Sequence, residues 1–344
     1  MSEFWNSRKV LVTGGCGLIG SYLVEHLLRD GAEVRVADSL MSGSLDNLLS
    51  CAGRFEFLQL DLQDRAACQK AVRGMDTVFD LAARTVGIGY SSCHHGEMLY
   101  DSLMISLNML EAARQAGVLR FLVTSSSCVY PDGSAVPTPE GAAERNLPEA
   151  PNAGYGWAKR IAELQGAYYA REYGLEVAIV RLVNAYGPRY HWDHEEPHVI
   201  PALIRRLLAG EEPLRIWGSG RQTRSFIHGS DVAMLMKLML ERAANAVPVN
   251  IGWTEETTIA DLVSELTAIA GYGGEILFDT TKPEGPARKG LDLALQQSAV
   301  PDFRPRISLR EGLRETFEAA RKHYVPKSRA VASAGAGAGA RARA

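Results

Sequence analysis

Short, nearly continuous apolar runs alternate with helical patterns over the first half of the chain. The runs are "KVLVT" (9–13), "EVRVAD" (33–38), "FEFLQLD" (55–61), "DTVFDLA" (76–82) and "RFLVTSS" (120–126). They are rich in β-branched residues and apolar at successive positions, as parallel strands covered on both faces should be. After the first, "LIGSYLVEHLLRDG" spaces its apolar residues as a helix does and closes on Gly31. This alternation predicts an α/β fold, a Rossmann-type doubly wound parallel sheet.

Two long helical stretches follow, roughly 97–116 and 155–173, each with apolar and aromatic residues on more than one face. Such breadth fits burial or a subunit interface. Beyond about residue 185 the elements shorten. Helices are expected in "SFIHGSDVAMLMKLMLERA" and "TIADLVSELTAIAG", with a terminal helix in "SLREGLRETFEAARKHY". The organisation expected is a dinucleotide-binding domain over 1–184, to which some later segments return, and a mainly substrate-binding α/β domain over 185–326. Residues 327–344 are Ala/Gly/Arg-rich and expected to be a disordered tail.

Composition narrows the function. The 344 residues are 46% apolar and 22% charged, enough for a large core, and the net charge is −3 with Lys and Arg spread along the chain. No nucleic-acid partner is expected from that. No apolar run reaches 18 residues, so no membrane partner is expected, and no signal-peptide pattern precedes the first strand. Five scattered cysteines without a CxxC make neither a disulfide framework nor a zinc ribbon. A reducing, cytoplasmic location is expected.

The first strand runs into Thr13-Gly14-Gly15-Cys16-Gly17-Leu18-Ile19-Gly20. Glycines at 14, 17 and 20 permit a tight turn, close approach of a pyrophosphate and close helix–sheet packing. The phosphates would meet the N-terminus of the next helix. The second strand ends at Asp38, 24 residues after Gly14, where a carboxylate accepts from a ribose 2′-hydroxyl and repels a 2′-phosphate. No arginine follows in "DSLMSGS". The cofactor expected is therefore NAD rather than NADP. Asp61 and Leu62, after the third strand, would suit the adenine edge.

Tyr155 and Lys159, four apart in "NAGYGWAKRIAE", share one helical face. A nearby ammonium stabilises a phenolate, which can then take a sugar hydroxyl's proton while hydride leaves the same carbon. Ser126 is placed to hydrogen-bond the same oxygen.

These residues, with "LMISLNMLEAAR", "SSSCVYP", "NAYGPR", "PHVIPALIRR", "IWGSG", "QTRSF" and "TKPEGPARK", carry a resemblance to the extended short-chain dehydrogenase/reductases acting on nucleotide sugars, over roughly 8–325. The resemblance implies NAD held by Gly14, Gly17, Leu18, Ile19, Asp38, Asp61, Leu62 and Leu81 together with Tyr155 and Lys159. It also implies a nucleotide-sugar substrate held by Asn184, Trp217, Arg224, Lys282 and Arg288. The family's four-helix dimer interface implies a homodimer built on the helices near 97–116 and 155–173.

Cys128 stands where members that epimerise GDP-sugars at C3 and C5 carry a catalytic thiol, and His198 matches the histidine of those that also reduce C4. Once C4 is a ketone, the hydrogens on C3 and C5 become acidic, and inversion needs one group to remove a proton and another to return one on the opposite face. A thiolate serves as base if nearby cations bring its pKa down from about 8.5. The resemblance thus implies an NAD-dependent epimerase of a GDP-hexose, GDP-mannose foremost, inverting C5, C3 or both through a transient 4-keto sugar. Its rivals are an epimerase-reductase of a 4-keto-6-deoxy sugar and a non-catalytic dinucleotide sensor. His191, His194 and His198 in "HWDHEEPH" raise zinc, but Pro197 argues for a loop, and no metal is expected.

Overall fold

The computed structural model describes residues 3–193, 198–282 and 285–337, with side chains as far as Tyr324. The first half consists of β1 (Lys9–Thr13), α1 (Leu18–Arg29), β2 (Glu33–Asp38), β3 (Glu56–Gln59), α2 (Arg65–Val72), β4 (Thr77–Asp80), α3 (Ile88–Ser91), α4 (His95–Gln115), β5 (Arg120–Ser126), α5 (Ala153–Tyr173) and β6 (Glu176–Leu182). All five expected strands form. β3 is shorter than expected because it lies at the sheet edge, paired only with β2 from Arg35↔Glu56 to Asp38↔Gln59. β4 stops at Asp80 because the amides of Leu81 and Ala82 leave the ladder and donate to the Thr13 hydroxyl, both at 3.0 Å.

The second half holds β7 (Ala185–Tyr186), α6 (Val199–Leu208), β8 (Leu214–Trp217), β9 (Thr223–Ser225), β10 (Ile227–His228), α7 (Gly229–Arg242), β11 (Pro248–Ile251), β12 (Glu256–Thr258), α8 (Ile259–Ala270), β13 (Ile276–Asp279), β14 (Arg288–Lys289), α9 (Ala294–Ala299) and α10 (Leu309–Gly337). α10 runs on past the expected end of the terminal helix, and residues 338–344 lie outside the described part. β11 returns to the main sheet, whose order is β11-β6-β5-β4-β1-β2-β3 with every pair parallel. This is the doubly wound sheet the pattern predicts. β6 and β11, to which the sequence reading assigns nothing, complete it.

Helices cover both faces of the sheet. α1 and α7 pack on one side, over Val10, Val12, Leu23, Leu27, Leu235 and Met239. α2, α4 and α5 pack on the other, over Leu11, Val78, Met109, Phe121 and Val177. A separate core of Tyr186, Ile200, Ile204, Leu214, Leu262 and Leu313 gathers α6, α8, α10 and the small β8/β13 sheet. β12, β9 and β14 form a three-stranded sheet beside it. The strand order reverses between β1 and β4, and ligands of such sheets bind outside the C-terminal ends of the strands at that point.

Candidate active site

The glycine loop forms as its sequence predicts. Gly14 adopts φ +63°, and a Cβ there would stand 3.0 Å from the Ala82 nitrogen. At Gly20 a Cβ would lie 2.3 Å from the Gly14 carbonyl oxygen, so α1 reaches the sheet only because this position has no side chain. α1 starts after Gly17 without a side-chain cap, which leaves its first amides, those of Leu18, Ile19 and Gly20, facing outward for an anion. Asp38 is 7% exposed. Its carboxylate accepts from Cys16 N–H at 2.9 Å and from Leu40 N–H at 2.8 Å. Each oxygen keeps further acceptor capacity for a ribose hydroxyl. Asp61 is exposed beyond β3, Leu62 is buried beneath it, and Leu81 packs beside the loop. These residues fit a dinucleotide with a free 2′-hydroxyl.

Beneath the loop, Thr13 donates to Asp80 at 2.8 Å while its oxygen accepts from Leu81 and Ala82. Burial pushes the Asp80 carboxyl up to about 6, against the pull of Thr13 and Lys159. Arg84 bridges Glu97 and Asp101 of α4, both at 2.5 Å, and so fixes the segment after β4.

The side chains expected to be catalytic come from α5 and from the turn after β5. Lys159 is buried, and its Nζ lies 5.4 Å from the centre of the Tyr155 ring. Burial lowers the lysine, while Asp80, Glu163 and Cys128 hold it up. Burial raises the Tyr155 phenol, and charge on Cys128 raises it further. Ser126 closes β5 as the cap of a single turn, Ser127–Val129, and accepts from Cys128 N–H at 3.2 Å. That leaves its hydroxyl proton available to donate.

Cys128 is half-buried, whereas Cys16, Cys51 and Cys68 are buried. The turn that carries it packs on the start of α5, where a Cβ on Gly156 would lie 2.5 Å from the Cys128 carbonyl oxygen. The expected thiolate is not what the surroundings favour. Burial and the charge on Glu149 push the thiol up to about 12, outweighing Lys289 and a Ser126 hydrogen bond. Arg160 donates to the Val129 carbonyl at 2.9 Å, and a buried group of Ser125, Glu163, Arg181, Tyr130 and Asn250 anchors the turn from below.

Comparison with known proteins agrees with this geometry. The model of the "NAD dependent epimerase/dehydratase family" matches residues 10–252. The chain belongs to this family. Its cofactor is NAD, and the enzymes it resembles act on nucleotide sugars. It is 30% identical to the GDP-mannose 3,5-epimerase of Arabidopsis thaliana over 319 residues, 92% of this chain and 83% of that one. It is 29% identical to the GDP-L-fucose synthase of Sinorhizobium fredii over 320 residues, 91% and 96% of the two chains. Among solved structures, the UDP-glucose 4-epimerase of Thermotoga maritima with UDP-glucose superposes with a TM-score of 0.80 at 32% identity, covering 91% of this chain and 99% of that one.

The side of this epimerase/dehydratase site expected to hold substrate is more dispersed. Asn184, between β6 and β7, donates to the Ser225 carbonyl at 3.0 Å. Arg224 on β9 donates to the carbonyls of Thr223, at 2.6 Å, and Pro286, at 2.9 Å. Trp217, at the end of β8, is 62% exposed and offers a bare ring face. Lys282 sits on an exposed turn after β13. Arg288 is engaged by Glu256, with Nε at 2.8 Å from one carboxylate oxygen and 2.9 Å from the other. His198 precedes α6 as its exposed N-cap, and desolvation lowers its pKa. Among the described residues no hydrogen bond joins it to Cys128, and none form a metal-ligand cluster. His194 of the zinc alternative lies outside the described residues.

Two charged residues that act on the thiol escaped the sequence reading, Glu149 and Lys289, as did Asn152, which donates to Glu149 at 2.6 Å. Glu149 lies six residues before Tyr155, and Lys289 adjoins Arg288. Only the fold reveals the group, by bringing Lys289 on β14 within 2.7 Å of Glu149.

Proposed function

We propose that this chain is an NAD-dependent epimerase of a GDP-hexose, GDP-mannose foremost, which inverts C5, C3 or both. The observation that carries the reading is Cys128 packed against the start of α5, where a Cβ on Gly156, next to Tyr155, would lie 2.5 Å from the Cys128 carbonyl oxygen. A family member that acted only at C4 would have no use for a thiol there.

Bound NAD supplies reversible hydride acceptance at C4. Tyr155 takes the proton of the C4 hydroxyl, with Lys159 favouring the phenolate and Ser126 holding the same oxygen. The carbonyl so formed acidifies the hydrogens on C3 and C5. Cys128 and His198 then remove and return a proton on opposite faces of the sugar. Trp217 packs on the base or ribose. Asn184 contacts the sugar nucleotide. Arg224, Lys282 and Arg288 hold the diphosphate, for which a guanidinium fork is suited. Arg288 exchanges Glu256 for phosphate in this reading.

The test is incubation with GDP-mannose in deuterated water without added NADPH, followed by proton NMR. Deuterium at C5 or C3 is the expected result. The absence of exchange sinks the reading. The likeness to a GDP-L-fucose synthase over nearly its whole length favours one alternative, epimerisation and reduction of a 4-keto-6-deoxy sugar. Steady NAD(P)H consumption with that substrate would select it, although Asp38 is poorly suited to NADP. No turnover with any nucleotide sugar would favour a non-catalytic sensor.

We further infer that the chain works in the cytoplasm as a homodimer joined through α4 and α5. Among the described residues no helix is long and apolar enough to cross a membrane. Tyr100, Leu164 and Tyr168 leave an exposed apolar face on these two helices. A second copy would cover it in a four-helix arrangement. Sedimentation of Leu164→Glu should show a monomer where the parent chain is a dimer; a monomeric parent refutes the arrangement.

A further inference from the structure

After β7, the chain from Gly187 to Asp193 lies against α1 at one end and α10 at the other. A Cβ on Gly187 would stand 3.3 Å from Cδ1 of Leu18, the first residue of α1, and 3.0 Å from Nε2 of His228. A residue without a side chain lets the backbone pass this close to the helix start. Two residues on, the Arg189 guanidinium lies over the Tyr22 ring, 3.7 Å from its centre, and donates to Glu25 at 2.6 Å. Tyr22 and Glu25 are three apart on α1 and share one face. At the far end, the Trp192 carbonyl accepts from the Tyr324 hydroxyl, and Asp193 meets His323 at 3.1 Å, both partners being on α10.

The same segment is tied to the rim of the cofactor site. A turn after β2, Leu45–Cys51, carries Asn47. Its Nδ2 donates to the Cys16 carbonyl of the glycine loop at 2.9 Å and reaches the Arg189 carbonyl at 3.5 Å. Ser50 of this turn donates to the very oxygen of Glu25 that Arg189 holds. The N–H of Cys16 is in turn held by Asp38. These contacts close a circuit through the glycine loop, the turn after β2, the 187–193 segment and α1. The phosphates expected at the start of α1 and the ribose expected at Asp38 meet two members of it.

Arg189 is the fastening of that circuit. Its side chain is 18% exposed and that of Glu25 17%, so the pair is largely withdrawn from water. Removing the cation leaves the carboxylate poorly compensated. Among the described residues, Nη1 of Arg189 is buried without a hydrogen-bond partner. One carboxylate and one ring therefore hold the guanidinium, a charge-assisted hydrogen bond and a cation–π contact.

We propose that residues 187–193 form a strap, fastened by Arg189, that must lift for NAD to enter or leave. Arg189 is thus a positioning residue that sets how long the cofactor stays. It acts through α1 and the turn after β2, not on the substrate. The inference rests on the cofactor and is independent of the sugar and of the carbon inverted.

The test follows NADH fluorescence in stopped flow. Release is read by loading the full chain with NADH and chasing with excess NAD; entry is read by mixing the cofactor-free chain with NADH. Arg189→Met should speed release and entry together, each at least ~10-fold, as loss of a hydrogen bond between charged groups allows. Their ratio, the affinity, should stay close to the parent's. Glu25→Gln keeps an acceptor for Arg189 but loses the charge, and should speed both steps by a smaller factor. The double variant should release NADH no faster than Arg189→Met, because both changes undo one fastening. Parent-like release in Arg189→Met overturns the proposal. So does faster release with unchanged entry, which would make Arg189 a support for the bound cofactor and not a gate. Should Arg189→Met fail to fold, Glu25→Gln decides alone, and parent-like rates there overturn the strap. The rates need no sugar. A protein with the expected rates but without deuterium exchange would refute the epimerase reading and leave the strap standing.

Discussion

At the scale of single residues, the site is a set of side chains whose surroundings work against their charged forms. Tyr155 and Lys159 are disfavoured as ions by burial, and Asp80 is pushed toward neutrality beneath them. The relay residues were legible in the sequence because their chemistry is local: a Tyr and a Lys four apart on a helix, and a serine ending a strand. The state of the thiol was not legible. It depends on burial first, then on Glu149 and Lys289, which lie 140 positions apart and meet only in the folded chain. Asp38 belongs to the legible group. The Asp38→Asn variant keeps a carbonyl acceptor for Cys16 or Leu40 but loses the charge. NAD affinity should fall about 10- to 100-fold, as expected for losing a hydrogen bond to a charged group worth about 1.5–3 kcal/mol, and NADP affinity should rise. Fluorescence titration with the two cofactors checks both directions. Equal loss of NAD and NADP affinity would mean that Asp38 only organises the loop.

At the scale of elements, the chain places its chemistry where strands end. β1 delivers the glycine loop, β4 the Asp80 turn, and β5 the Ser126–Cys128 turn. Five strands could be read from apolar runs alone. β6 has the same character in "EVAIVRL" but carries Arg181, a charge that obscures a buried strand. The structure supplies the reason the charge is tolerated. Arg181 meets Glu163 of α5 through two bonds, at 2.8 and 2.7 Å, and donates to Tyr130 at 3.1 Å. Both ionic side chains are less than 10% exposed. Breaking such a pair leaves an uncompensated buried charge and costs about 3–5 kcal/mol. Glu163→Gln should lower the urea midpoint accordingly and loosen the turn that carries Cys128. A midpoint within error of the parent would show that the pair does not anchor this turn.

At the scale of the whole molecule, the main sheet carries the glycine loop at its strand ends, and the segments after β6 carry the residues proposed to hold substrate. β11 and α7 return to the main sheet, so these segments are tied back twice. Two buried histidines lie where these segments meet: His26 in α1, and His228 at the end of β10, where it caps α7. His26 and His228 are 6% and 1% exposed, and burial pushes each down to about 4. Unfolded histidine takes its proton near pH 6.5, so from about pH 6.5 down to about pH 4 the unfolded chain binds protons that the folded chain refuses. Stability contributed by these groups is therefore full above the unfolded value and declines as pH falls through that window. Urea midpoints should drop more between pH 7 and pH 5 in the parent than in a His26→Gln/His228→Gln double variant. Parallel curves would show that neither histidine couples folding to pH.

Under the proposed epimerase reading, inversion requires the sulfur of residue 128 to exchange a proton with a sugar carbon adjoining an oxidised C4. Proton NMR of GDP-mannose in deuterated water, comparing the parent chain with Cys128→Ser, tests that most directly. The account predicts deuterium at C5 or C3 with the parent, at least ~100-fold less with the serine variant, and NAD binding retained by both. Equal labelling by the two proteins would contradict it.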